Sequence, residues 1–302
     1  MAPIPTQVIQ VTPSKKEIAA GRFTDAHIRT VLTGLHKDGV ILIKDVIDPA
    51  HLDELNKHMV EDAKTSLRNG VSMNKGAGNI QQSPPFLPTT LLYEDVYMNR
   101  LLHHAVTLYL GIGAKWNLAT GNTALPESMQ RQPVHSDASS FRHPACPFYV
   151  VANIPLITSN VSTGATEIWL GGMHRGNSEE QHDERFGVKD ELLDAQMNIQ
   201  APVQPTVEKG SILLRDLRLW HAGMPNPSSE YRCMIALGFT APWYNSQAKF
   251  RVPADSGAAE ILEEGLKGST ITPRYRIVSS KEYESTKNAK NISFEDDEIN
   301  RL

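Results

Sequence analysis

Between Trp116 and Phe239 the chain repeats one local pattern: a short run rich in aliphatic, β-branched and aromatic residues, closed by Gly, Pro, Asn or Ser, followed by another. The runs cover Trp116 to Thr120, Phe148 to Pro155, Ala165 to Leu170, Ser211 to Trp220 and Tyr231 to Phe239. Short strands with few helices between them bury their apolar faces by pairing into two stacked sheets, and this fits a double-sheet jelly roll. In the run before His221, apolar residues stand at Ile212, Leu214, Leu217 and Leu219. The slip in that alternation predicts a bulge or turn, with His221 at the end of the strand.

Upstream of this region the periodicity is helical. Residues 1–22 read as a loose arm. Thr24 is a helix cap, Ile28, Val31, Leu32 and Leu35 share a face, and Gly39 lies past the helix end. Asp48-Pro49 opens a second helix with Leu52, Leu55 and Met59 on one side. Both helices are expected to brace a sheet, and a further helix is predicted over 94–110. Between them, about 68–90, Asn69-Gly70, Lys75-Gly76-Ala77-Gly78-Asn79 and Ser83-Pro84-Pro85-Phe86-Leu87-Pro88 break all periodicity. This segment reads either as a plain surface loop or as a lid over a site. As a lid it would touch a bulky apolar ligand through Phe86 and Leu87, with Asn79 or Gln81 supplying a hydrogen bond. The charged stretch 177–195 reads as an insertion and 287–302 as a tail or partner-binding arm. The whole is one domain: an arm over 1–22, helical support and loop over 23–110, a jelly-roll core over 111–250 and an extension over 251–302.

Composition narrows the function classes. The 302 residues are 40% hydrophobic, enough for a sizeable core, and no apolar run approaches the ~20 residues needed to cross a bilayer. A net charge of −4 without a long basic run disfavours nucleic acid as the substrate. Two cysteines, Cys146 and Cys233, exclude a disulfide scaffold. The N-terminus lacks the basic and apolar regions of a secretory signal. A cytoplasmic enzyme acting on a small molecule is expected, with a homodimer left open.

His135-Ser136-Asp137 carries the chemistry. Side chains two apart on a strand project from the same face, so His135 and Asp137 form a two-ligand claw while Ser136 points away. His221, brought alongside, completes a two-histidine, one-carboxylate set that leaves adjacent positions of a metal open, as oxygen-activating non-haem iron requires. Arg232 opens a run of buried-strand composition, where a guanidinium needs an anionic partner. A small dicarboxylate would serve through planar, bidentate pairing, and so would a protein carboxylate. Among other histidines, His182 stands in a charged, solvated stretch, and His143 reads as a loop residue or part of a pocket mouth.

Those residues, with the stretch from Ser162-Thr163-Gly164-Ala165-Thr166 to Gly171-Gly172-Met173-His174-Arg175, resemble the phytanoyl-CoA dioxygenase family of iron(II)- and 2-oxoglutarate-dependent oxygenases. The likeness runs from about His36 to Phe239 and is nearest to the family's fungal natural-product branch. It implies a jelly-roll (cupin-like) double-stranded β-helix barrel, mostly β with flanking helices. It implies that His135, Asp137 and His221 bind Fe(2+), that Arg232 anchors the distal carboxylate of 2-oxoglutarate, and that Gln132 and Thr166 lie beside this cosubstrate. Dioxygen is the third reactant. The family turn commonly reading Pro-Gly-Ser-His is Gly171-Gly172-Met173-His174 here. By this resemblance the chain oxidises an apolar small molecule, a terpenoid or alkaloid intermediate, by hydroxylation, desaturation or rearrangement. Alternatives on the same barrel are a fatty acyl-CoA hydroxylase, a non-redox zinc or manganese enzyme, or a binding module without catalysis.

Overall fold

Residues with a period of two build the centre of the molecule, and residues with a helical period cover one face of it. The computed structural model describes residues 7–74, 78–138, 146–175 and 187–286. Its first half runs β1 (Gln10–Val11), α1 (Lys15–Ala20), α2 (Asp25–Asp38), β2 (Val40–Ile43), α3 (Pro49–Arg68), β3 (Asn79–Gln82), α4 (Glu94–Tyr97) and α5 (Arg100–Leu110). Then come β4 (Lys115–Ala124), β5 (Tyr149–Pro155), β6 (Glu167–Ile168), α6 (Asp190–Ile199), β7 (Ile212–Asp216), β8 (His221–Ala222) and β9 (Arg232–Thr240). The chain closes with β10 (Phe250–Pro253), α7 (Ala258–Gly265), β11 (Thr272–Pro273), β12 (Tyr275–Val278) and α8 (Ser280–Thr286).

The large sheet has the order β1-β2-β7-β5-β9-β4-β11, with β3 also paired to β4. Its inner strands are antiparallel, and the edge pairs β1–β2 and β4–β11 are parallel. A smaller layer is built from β6 and β8, extended by bridges from His135 to His221 and from Ile168 to Val203. This is the expected fold class, mostly β with flanking helices and a jelly-roll arrangement of two layers.

Alternation along β9 shows how the large sheet serves two environments. Cys233, Ile235, Leu237 and Phe239 enter the main core with Leu35, Leu52, Leu55, Met59 and Tyr97 of the helices. Arg232, Met234 and Ala236 point the other way and line a pocket between the layers. The periodicity of two therefore separates the apolar support from the chemical face. At Gly238 a Cβ would lie 2.7 Å from both the Tyr149 hydroxyl and the Leu118 side chain, so only hydrogen fits there.

Several elements differ from the sequence expectation. The arm is stapled: β1 pairs with β2, and α1 begins with a capping box in which Ser14 and Glu17 satisfy each other's backbone N–H groups. The predicted helix over 94–110 is two helices, because Asn99 interrupts it and caps α5 by accepting from the Leu102 N–H. The strand before His221 stops at Asp216, where Asp216 accepts from the Arg218 backbone and guanidinium in a tight turn. His221 then starts a new strand in the other layer rather than ending the old one.

Candidate metal centre

Two segments deliver the three candidate ligands. His135 and His221 face each other as a hydrogen-bonded bridge, each N–H donating to the other's carbonyl at 2.9 Å. Their rings consequently stand on one side of the small layer, with centroids 4.3 Å apart. Asp137 follows in the turn after His135, while the Ser136 hydroxyl points away and accepts from the Ala138 N–H. Asp137 Oδ1 is 3.6 Å from His135 Nε2, and Asp137 Oδ2 is 3.4 Å from His221 Nε2. The three residues form a group whose ligand atoms lie within 4.8 Å of one another.

Backbone carbonyls fix which nitrogen faces the centre. His135 Nδ1 donates to the Pro133 carbonyl at 2.8 Å, and His221 Nδ1 donates to the Leu219 carbonyl at 2.9 Å. A carbonyl only accepts, so each Nδ1 carries a proton and each Nε2 is the ring atom turned toward the candidate centre. Burial, reinforced by the Arg215 cation, holds His221 well below the usual histidine range, so it stays neutral and ligand-competent.

Arg232 forms the other end of the pocket. Its Nη2 donates to the Gly164 carbonyl at 3.1 Å, its Nη1 has only the Met234 sulfur at 3.9 Å, and its buried Nε has no hydrogen-bond partner. Burial lowers its pKa to about 10. A buried guanidinium with orphaned donors and, among the described residues, no ion-paired carboxylate is matched by an incoming carboxylate, so the residues present fit a 2-oxo dicarboxylate. Gln132 lines the same pocket and accepts from the Gly223 N–H at 3.1 Å; Thr166 lines it as well. A Cβ on Gly223 would sit 2.6 Å from the Gln132 carbonyl oxygen, so the glycine makes room for that amide.

The substrate contacts expected from the loop divide. Asn79 and Gln81 belong to β3, not to a lid; Gln81 lines the pocket, and Asn79 instead accepts from the Asn122 amide at 3.1 Å. Phe86 and Leu87 are corrections. Phe86 is 2% exposed, packed among Tyr97, Phe250 and Tyr283, with its N–H donating to the Tyr283 hydroxyl at 3.0 Å. Leu87 packs against the same core, and neither residue lines the pocket. The large aromatic surface available there is a better sink for two apolar side chains than a wet pocket mouth. His143, His182 and the tail 287–302 lie outside the described residues.

The pocket also holds polar residues that the sequence did not place beside the metal ligands. Asn153 of β5 and Arg215 of β7 approach from the large sheet. Arg215 carried the same signal as Arg232, a charge inside a buried strand, but only tertiary structure places it against Asp137.

Residues 35–234 match the family model described as Phytanoyl-CoA dioxygenase (PhyH). The chain belongs to that family. It is therefore an iron- and 2-oxoglutarate-dependent enzyme, and the three-residue group is a set of described residues that could hold iron. Among solved structures the chain is similar to the epimerase SnoN in complex with Fe3+, alpha ketoglutarate and nogalamycin RO, at 14% identity and a TM-score of 0.53, covering 72% of this chain and 84% of SnoN. It is similar also to AviO1 from Streptomyces viridochromogenes Tue57, at 16% identity and a TM-score of 0.52, covering 74% of this chain and 99% of AviO1. These likenesses show a shared fold. Among the described residues, no helix is long and apolar enough to cross a membrane.

Proposed function

We propose that the chain is a dioxygenase that oxidises an apolar small molecule of secondary metabolism, a terpenoid or alkaloid intermediate, by hydroxylation, desaturation or rearrangement. The observation that carries the reading is the pairing, in one pocket, of the His135, Asp137 and His221 group with a buried Arg232 that has no carboxylate partner among the described residues. SnoN, an epimerase in complex with Fe3+, alpha ketoglutarate and nogalamycin RO, shares the fold.

The bound iron and 2-oxoglutarate supply the oxidising power when they are present. The protein's residues supply placement. His135 and His221 offer Nε2 lone pairs from rings locked at Nδ1, and Asp137 adds the negative charge that favours a divalent cation. Arg232 receives the distal carboxylate, with Gln132 and Thr166 flanking it. Leu118, Val151, Leu217, Met234 and Ala236 form the apolar wall against which a hydrocarbon skeleton rests and from which water is excluded. Gln81 and Asn122 add amide groups for a hydroxyl or carbonyl of that skeleton.

The test is anaerobic loading with ferrous iron followed by 2-oxoglutarate. One metal per chain and a visible charge-transfer band are expected, with succinate formed once air is admitted. A protein that takes up zinc but gives neither band nor succinate would instead be a non-redox metal enzyme.

A further inference from the structure

The pocket contains a second buried cation, Arg215, only 7% exposed on β7. Its guanidinium is held from two sides. Nε donates to Asn153 Oδ1 at 2.9 Å, and Nη2 donates to Asp137 Oδ2 at 2.5 Å, while the buried Nη1 has no hydrogen-bond partner. Asn153 pairs with Leu213, two residues from Arg215 on the adjacent strand, so amide and guanidinium share one face of the large sheet. The sheet opposite the ligand layer thus reaches across the pocket and holds the metal-ligating carboxylate.

Desolvating a guanidinium is costly, and its placement beside a prospective cation adds repulsion. The arrangement acquires a purpose from the geometry of Asp137. Each carboxylate oxygen faces one imidazole Nε2, Oδ1 toward His135 and Oδ2 toward His221, so both oxygens are within reach of a shared metal. Two histidines and a one-oxygen carboxylate occupy three positions of an octahedron, leaving three. A carboxylate binding through both oxygens would occupy a fourth, and a chelating 2-oxo acid together with dioxygen would no longer fit. A charge-assisted hydrogen bond occupies lone-pair density on the oxygen that accepts it.

We propose that Arg215, held by Asn153, is the positioning residue that keeps Asp137 a one-oxygen ligand and so preserves all three of the open positions that 2-oxoglutarate and dioxygen share. This rests on the reading that the site holds iron and 2-oxoglutarate. Arg232 binds the far end of the cosubstrate, and Arg215 governs the vacancy at its near end. Their loss therefore weakens the same ligand by different routes.

Cobalt(II) is the probe, because its visible spectrum reports coordination number without turnover. Wild-type protein is loaded with cobalt and titrated with 2-oxoglutarate by calorimetry; if the wild type binds neither, the reading of the site fails, and the role of Arg215 falls with it. If it binds both, Arg215→Met is expected to change the cobalt spectrum before cosubstrate is added. It should also weaken 2-oxoglutarate binding by about tenfold or more, with cobalt still bound. Arg215→Lys, which retains a cationic donor, should restore much of both signals, whereas Arg232→Ala should weaken 2-oxoglutarate without altering the cobalt spectrum. An Arg215→Met protein with an unchanged spectrum and affinity within about twofold of wild type overturns the proposal. So does a folded Arg215→Met protein that loses cobalt altogether, since Arg215 would then build the site and not set its vacancy. Should Arg215→Met fail to fold by circular dichroism, Asn153→Ala replaces it, with the same changes expected to a smaller degree and unchanged values counting against the proposal.

Discussion

The two layers that enclose the pocket are built by opposite means. The large sheet uses long, regular strands: β4 and β9 pair from Lys115 with Thr240 to Ala124 with Arg232, interrupted by one irregularity near Trp116. The small layer uses the two-residue strands β6 and β8 and isolated bridges at His135 and Ile168. Regularity suits the sheet that has a broad helical face to cover, because period-two alternation turns one whole side apolar. The layer bearing the ligands is instead held at a few points by backbone pairs and by carbonyls gripping imidazole Nδ1 atoms. Its function requires three ligand atoms in register, and its apolar surface is divided between two small clusters, one around Ile168 and Leu219 and one around Trp169 and Trp220. The difference separates stability, concentrated on the helical side of the large sheet, from chemistry, concentrated in the small layer.

Changes in the small layer should have the largest effect on activity and a small one on folding. Replacement of His135, Asp137 or His221 by Ala is expected to reduce coupled turnover to background, with the melting temperature of the metal-free protein little changed. Metal analysis and succinate formation check this, and full activity in any one variant would break the assignment of that ligand. Phe86→Ala should behave in the opposite way. Truncation in that aromatic cluster is expected to cost about 3–5 kcal/mol of stability in a denaturant titration while leaving 2-oxoglutarate affinity unaltered. Loss of affinity without loss of stability would return Phe86 to the pocket.

Arg232→Ala lies where the layers meet. It should raise the 2-oxoglutarate requirement by about 2–4 kcal/mol with metal binding retained, as expected when one partner of a buried charge pair is removed. Gly223→Ala should act in the same direction more weakly, because a Cβ 2.6 Å from the Gln132 carbonyl oxygen displaces one amide and no charge. Calorimetric titration ranks the two, and a larger effect at Gly223 would shift the anchor toward Gln132.

The smallest effect concerns the N-terminal staple. Burial pushes the Glu17 carboxyl up, but hydrogen bonds from the Thr24 and Ser14 backbone and hydroxyl groups outweigh it and hold the pKa at about 2 against an ordinary 4.5. The native state therefore binds fewer protons at this group than the unfolded chain. Its contribution to stability is present above about pH 4.5 and disappears as the pH falls toward 2. Glu17→Gln should remove that part of the acid dependence and leave activity near neutrality unchanged. Thermal melts between pH 2 and 6 would show it, and identical pH slopes would mean that the staple is unimportant.

Much of this division was written in the sequence. Alternation in Tyr231–Phe239 marked a strand with two faces, and the helical faces of Val31 with Leu35 and of Leu52 with Met59 marked its support. Both are local patterns, set by residue spacing and readable one segment at a time. His135, Asp137 and His221 were legible as a candidate ligand set because the first two stand two residues apart and the family resemblance added the third. The staple at Glu17 was less visible, since its partners Ser14 and Thr24 look like ordinary polar residues until the chain folds back.

Sequence alone determined the two-faced strand β9 and the helical faces that support it, which residue types could hold a metal, and that a buried cation opens β9. Tertiary structure decided where the apolar residues of the 68–90 segment go. Phe86 joins Tyr97, Phe250 and Tyr283, one of them nearly two hundred residues away, because burial rewards whichever surface is largest and not whichever is nearest in sequence. It also decided that Arg215, equal to Arg232 as a charge in a buried strand, meets Asp137 and not an empty pocket end. Spacing along one strand specifies the face a side chain takes, but its partner across a pocket depends on how two separate layers register. That register is fixed by long-range packing.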